Sequence, residues 1–132
     1  MSPERQRDSL GRPLPDDADP GLVVPGVSIR ATLSDEQAWT EAMAFLESGH
    51  PFHAHEVFEL RWRLAPADYR PAWQALAQWG AALTHEARGN PKGAASVASR
   101  ALANLDAAER IPDCVDATLV RDSCVRLSLL RG

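Results

Sequence analysis

The chain has 132 residues, 45% hydrophobic and 24% charged, with a formal net charge of −4. Those values describe one ordinary globular domain and exclude a wholly disordered chain, a collagen-like repeat or a membrane bundle. The acidic balance lacks the basic excess that neutralising phosphates demands of a nucleic-acid binder.

The first thirty residues differ from the rest. Met1 to Leu10 is charged and lacks the apolar stretch of a secretory signal. Five of the ten prolines follow within residues 3–25, and Asp16, Asp17 and Asp19 add like charge. Proline removes a helical donor and restricts its predecessor. Residues 1–33 therefore read as a flexible, proline-rich arm preceding one helical domain over residues 34–132. Within the arm, Leu22, Val23, Val24, Val27 and Ile29 form a segment suited to lie extended against the body.

The remainder reads as helix. Ser34-Asp35-Glu36-Gln37 is a capping box, and Trp39, Ala42, Met43 and Leu46 repeat at helical spacing behind it. Gly49 and Pro51 end this first helix. A second is predicted over residues 52–64, stopped by Pro66. In the third, Asp68 is the expected cap and Pro71 lies in the first turn. Trp73, Leu76, Gly80, Leu83 and Ala87 share one face. Gly80 in mid-helix costs about 1 kcal/mol against alanine, which points to close approach of another helix. Gly89 ends this helix, and Asn90-Pro91 caps and opens the fourth, whose packing face is Ala94, Ala98, Ala101, Leu102 and Leu105. Past Ile111-Pro112, a fifth helix carries Val115, Leu119, Val120 and Leu127. Short connections make neighbours roughly antiparallel. The predicted fold class is all-α, a partly opened antiparallel bundle of about five helices. No apolar run approaches the ~18 residues of a membrane-spanning helix.

The chemistry-bearing residues lie on the second and third helices. At about 100° per residue, His55, Glu59 and Trp62 share one face, with Glu56 at its edge, and His53 turns away toward the expected surface. Gln74, Gln78 and His85 occupy a narrow arc of the third helix. Leaving such groups buried and unpaired costs about 1–3 kcal/mol each, so the two stripes are expected to meet in a buried polar network, with Glu59 largely buried. The alternative is a ligand site, with His55, Glu59 and His85 as nitrogen and oxygen ligands of a divalent metal completed by water. His55-Glu56-x-x-Glu59 is not a zincin motif, because Glu59 stands where the second histidine belongs. No nucleophile elbow, phosphate-binding loop or dinucleotide glycine pattern occurs.

Together, Phe52-x-Ala54-His55-Glu56-x-x-Glu59-x-x-Trp62, Gln74, Gln78 and His85-x-x-Arg88-Gly89-Asn90-x-x-Gly93-Ala94 resemble the domain of unknown function family 309 over about Ala38 to Leu105. Ala75 departs from an expected glycine, and Trp73 from an expected aliphatic residue. The resemblance implies an all-helical, partly opened bundle of bacterial and archaeal cytoplasmic proteins, with no established activity.

Two function classes follow. One is a non-enzymatic helical module with an architectural polar set, acting on a protein partner or pairing with itself as a homodimer. The other is a metal-dependent enzyme, a hydrolase using the His55, Glu59 and His85 cluster, in which the metal lowers the pKa of bound water and Glu56 or Glu59 is the base. Trp79, set beside small residues, is the expected anchor of a dimer contact, or else lies under the arm. Cys114 and Cys124 form no C-x-x-C pair and suit a reducing cytoplasm as small core residues.

Overall fold

The computed structural model describes residues 32–131. Within them the chain forms α1 (Asp35–Glu47), α2 (Pro51–Leu64), a 3-10 turn (Ala67–Tyr69), α3 (Arg70–Ala87), α4 (Pro91–Ala107) and α5 (Ala117–Ser128), and no strand occurs among these residues. The expected arm lies outside them, apart from its last two residues.

Local chemistry sets the helix ends. The Ser34 Oγ accepts from the Gln37 amide at 3.1 Å, and the Gln37 Oε1 accepts from the Ser34 amide at 2.9 Å. This is the capping box, satisfying two amides that a helix start leaves open. Gly49 (φ +78) and Gly89 (φ +77) adopt the left-handed conformation just past α1 and α3. The His50 amide then reaches the Phe45 carbonyl, and the Asn90 amide the His85 carbonyl, both at 2.8 Å. With Gly49 donating to Leu46 and Gly89 to Glu86, both ends are Schellman motifs. Asn90 turns at once into the next cap, its Oδ1 accepting from the Gly93 amide at 3.0 Å. Asp68 does not cap α3. It falls inside the 3-10 turn, and Tyr69 holds the cap position without a side-chain bond. The fifth helix starts at Ala117 under an Asp116 cap, so Val115 packs from the connection and the two cysteines do not share a helix.

Helix α3 is the centre. It packs on α2, α4 and α5, while α1 packs on α2. Phe58, Trp73, Leu76, Val57, Val120, Cys124 and Leu127 are fully buried. The Phe58 ring lies 6.3 Å from Trp39, 6.1 Å from Trp73 and 6.0 Å from Trp79, joining α1, α2 and α3 through one aromatic cluster. Ala94, Ala98 and Ala101 are buried on α4, where small side chains let the helix axes approach. Arg61 pins the start of α1: its Nε donates to Asp35 and one terminal nitrogen to the Leu33 carbonyl, both at 2.8 Å, while Trp73 Nε1 donates to the same Asp35 oxygen at 3.2 Å. On the other side, α1 and α5 flank α3 without packing on each other, which leaves the bundle open there.

Candidate functional site

Two places merit a functional reading: the polar face of α2 and the open side of α3. On α2, His55 Nδ1 donates to the Ala77 carbonyl of α3 at 2.8 Å. That bond leaves Nε2 facing Glu59 Oε2 at 3.2 Å, one helical turn away. The contact becomes a charge-assisted hydrogen bond when the ring carries both protons. The other Glu59 oxygen accepts from Arg63, again one turn on. Gly80 makes this meeting of α2 and α3 close. A Cβ there would stand 2.8 Å from the His55 Cα, nearer than real Cβ contacts come.

The expected polar residues do not meet in one network. Gln78 accepts from Asn104 of α4 at 2.6 Å. His85 pairs with Asn90 at 3.1 Å, beside the α4 start. Gln74 is half-buried, with no side-chain hydrogen bond among the described residues. Glu56 is half-buried at the edge of the α2 face, and Trp62 is half-buried against the core. Arg88 lies over the Phe52 ring at 5.6 Å. Glu59 itself is 32% exposed rather than buried. The physical reason is that α3 is surrounded. Its polar arc is shared out between α2 and α4, so His55 finds a backbone carbonyl and Gln78 a partner on the far side. For a metal, His55 and Glu59 are adjacent, but among the described residues no three His, Cys, Asp or Glu side chains are grouped to hold an ion.

His53 overturns its expected surface position. It is completely buried, its ring 5.4 Å from Phe45, 5.9 Å from His50 and 6.0 Å from Phe52. Helix α2 has α1 on one side and α3 on the other, so the face opposite His55 is also interior.

Sequence reasoning missed the second place. Between α1 and α5 lies an open groove of about 470 Å³. Met43 and Leu46 of α1 form one wall and Leu119 of α5 the other, over a floor of Trp79 and Leu83. The turn from Gly49 to Pro51 closes one end. Glu47 and Glu86 supply carboxylates, and Glu86 is already held by Arg126 through two hydrogen bonds of 2.6 and 3.0 Å. Trp79 is only 2% exposed, stacked on Trp39 at 6.5 Å and donating from Nε1 to Ser123 at 2.8 Å. It is therefore groove floor and core, not a projecting dimer anchor. The available signal was the apolar stripe of Met43 and Leu46, both of which stay half-exposed.

A small all-α bundle, opened along one side and fastened on the other by a histidine-to-backbone bond at a glycine, is the class of protein these features define. Residues 39–97 match the model of the family described as Domain of unknown function (DUF309), which their sequence pattern resembles. The match runs from Trp39 in α1 into α4, and α5 lies beyond it. No curated protein and no solved structure matches the chain. No described helix is long and apolar enough to cross a membrane.

Proposed function

We propose that this chain is a non-enzymatic helical module that receives an apolar polypeptide segment in the groove between α1 and α5. The carrying observation is the groove itself. Its volume of about 470 Å³ falls in the range of ligand sites, yet it is open along its length and lined chiefly by aliphatic and aromatic side chains. An open apolar trough suits a chain segment with several side-chain anchors better than a small polar substrate. The acidic rim and the net charge of −4 favour a polypeptide over a nucleic acid. The His55–Glu59 pair supports the same reading, because its bond to Ala77 serves helix docking and its bond to Arg63 stays within α2. Both cysteines are free thiols, which suits a reducing compartment such as the cytoplasm.

The test is a titration of the full chain with a short valine- and isoleucine-rich peptide, read by methyl resonances up to millimolar peptide. Shifts should centre on Met43, Leu46, Leu83 and Leu119. Leu83→Glu should weaken binding at least tenfold, and Leu64→Glu, on the exposed end of α2, should not. Shifts that ignore the groove overturn the reading.

A further inference from the structure

We infer that the groove between α1 and α5 takes an amphipathic helix of a partner protein, antiparallel to α1, with a lysine or arginine of its first turn over Glu47. This rests on the groove being a polypeptide site and names the kind of segment it receives.

The spacing of the lining residues favours a helix. Met43 and Leu46 stand one turn apart on the α1 wall, and Trp79 and Leu83 one turn apart on the α3 floor. Helix geometry places these pairs about 4.5 Å and about 6 Å apart along their axes. Side chains at i, i+3 and i+4 of a docked helix recur at the same intervals, so its ridges settle between such rows. Same-face residues of an extended chain recur at about 6.8 Å and fall out of step. The walls suit the same guest. Helices α1 and α5 pack on their chain neighbours and not on each other, which leaves between them the place of one more helix in the bundle.

Charge fixes the orientation. Trp73 donates to Asp35 near the starts of α3 and α1, and Trp39 stacks on Trp79 further along, so the two helices run the same way. Both finish at the closed end of the groove, which is lined by Glu47 and Gly49 from the end of α1 and by Glu86 and Ala87 from the end of α3. Each helix brings about half a negative charge to its C-terminal end. Glu47 adds a whole one: its side chain is exposed and has no ion-pair partner among the described residues. Arg126 offsets only Glu86. Helix α1 has no basic residue in its last turn, and Arg88, just past α3, lies over the Phe52 ring of α2, outside the groove lining. A helix docked with its N-terminus at this end sets its positive pole and a basic side chain against that charge, while its apolar stripe runs on over Leu83 and Met43. The long stem of lysine or arginine lies on apolar surface as the charged head meets the carboxylate. The net charge of −4 draws the same partner from a distance.

The test titrates the full-length protein with three short synthetic peptides that share one leucine stripe at helical spacing. The first carries lysine in its first turn, the second glutamate at that position, and the third the lysine together with a central proline. Binding is read at the methyl resonances of Met43, Leu83 and Leu119, with circular dichroism reporting helix in the peptides. Glutamate in a first turn makes a free peptide more helical, so a preference for lysine cannot come from helicity. The lysine peptide should bind at least fivefold more tightly than the glutamate peptide, and Glu47→Gln should cut that ratio at least by half. The proline peptide should bind at least tenfold more weakly than its parent. Equal affinity of the lysine and glutamate peptides, a ratio indifferent to Glu47→Gln, or full-strength binding of the proline peptide overturns the inference. If the valine- and isoleucine-rich peptide moves those methyls and the helical peptides do not, the groove remains a polypeptide site and this partner is wrong. Movement by none of them removes both. Peptide affinity that falls as the protein is concentrated means that a second copy occupies the groove, and the inference fails in that form too.

Discussion

The backbone of His55 and the bare Cα of Gly80 face each other across the α2–α3 contact, with room for a hydrogen and not for a methyl group. A Cβ at residue 80 would sit 2.8 Å from the His55 Cα and 3.1 Å from its nitrogen. These are backbone atoms, so relief requires the helices to part. Overpacking of this kind costs about 1–3 kcal/mol, and alanine recovers about 1 kcal/mol in helix propensity. Gly80→Ala should therefore destabilise by up to about 2 kcal/mol in urea unfolding, and parting the helices should disturb the His55–Ala77 bond. A variant as stable as the parent would show that the contact is looser than described.

The polar pair on α2 gives a ranked expectation. Glu59 is partly exposed and paired with its own helix neighbours, so Glu59→Ala should cost no more than about 1 kcal/mol, and Glu59→Gln less. His55→Ala removes the one side-chain bond from this pair to α3 and should cost about 1–2 kcal/mol. Equilibrium unfolding of the three variants checks the order. A Glu59→Ala loss exceeding that of His55→Ala would mean that the carboxylate, not the imidazole, holds the helices together.

How far this site was legible is clear from single residues. The capping box at Ser34, the glycines ending α1 and α3, the Asn90 cap and the close approach at Gly80 could all be read, because each depends on a few neighbouring residues or on one missing side chain. The orientation of α2 and α3 could not. A helical wheel separates His53 from His55 but does not say that both sides are interior, as they are for a helix lying between two others. For the same reason Gln78 and His85 were expected to face α2 and instead meet Asn104 and Asn90. Glu59 was expected to be buried because it shares a face with Trp62, yet Arg63 one turn on holds it at the surface. The groove depends on α1 and α5 failing to meet, a long-range fact with no local signature.

Acid should weaken the α3–α5 fastening. The hydrogen bond and charge of Arg126 hold the Glu86 carboxyl below its ordinary value. As pH falls through the carboxylate range, the unfolded chain takes up this proton first, so Glu86 adds stability above the ordinary value and loses it as pH drops through the lowered one. Arg126→Gln should flatten that part of the acid limb and cost about 0.5 kcal/mol at neutral pH, as an exposed pair does. Urea midpoints between pH 3 and pH 7 measure both effects.

The two thiols should react in order. Burial, only partly offset by the Arg121 charge, pushes the Cys124 thiol from the ordinary 9.0 up to about 11. Partial burial and the charges of Asp35, Glu36 and Asp113 raise Cys114 as well. An alkylating reagent at pH 8 should label Cys114 first and Cys124 only as the fold opens, which mass spectrometry of timed samples would resolve. The raised Cys124 value also makes the folded state lose stability as pH climbs from 9 toward 11, because the unfolded thiol ionises first.

A chelator should leave thermal unfolding unchanged, since the described His, Cys, Asp and Glu side chains form no group of three for an ion. Elemental analysis of the purified protein beside paired melts provides the check. Stoichiometric metal with a chelator-sensitive melt would return the His55–Glu59 pair to the metal-enzyme reading.

The order of helix contacts also bears on how quickly the chain folds. Each helix packs on its neighbour in sequence, and the contacts that skip an element are those of α3 with α5 and the side-chain contacts of Trp39 and Asp35 of α1 with Trp79 and Trp73 of α3. Few long loops must close before contacts begin to stabilise the chain, which places the domain among low-contact-order helical proteins that fold in microseconds to milliseconds. The late step is then the arrival of α5 on α3, where Trp79 must find Ser123 across 44 residues and Glu86 must find Arg126 across 40. Until that step is complete, the hairpins of α1 with α2 and of α3 with α4 are joined through the α2–α3 contact and the aromatic cluster around Phe58, and the search that remains is for one helix rather than for a whole topology.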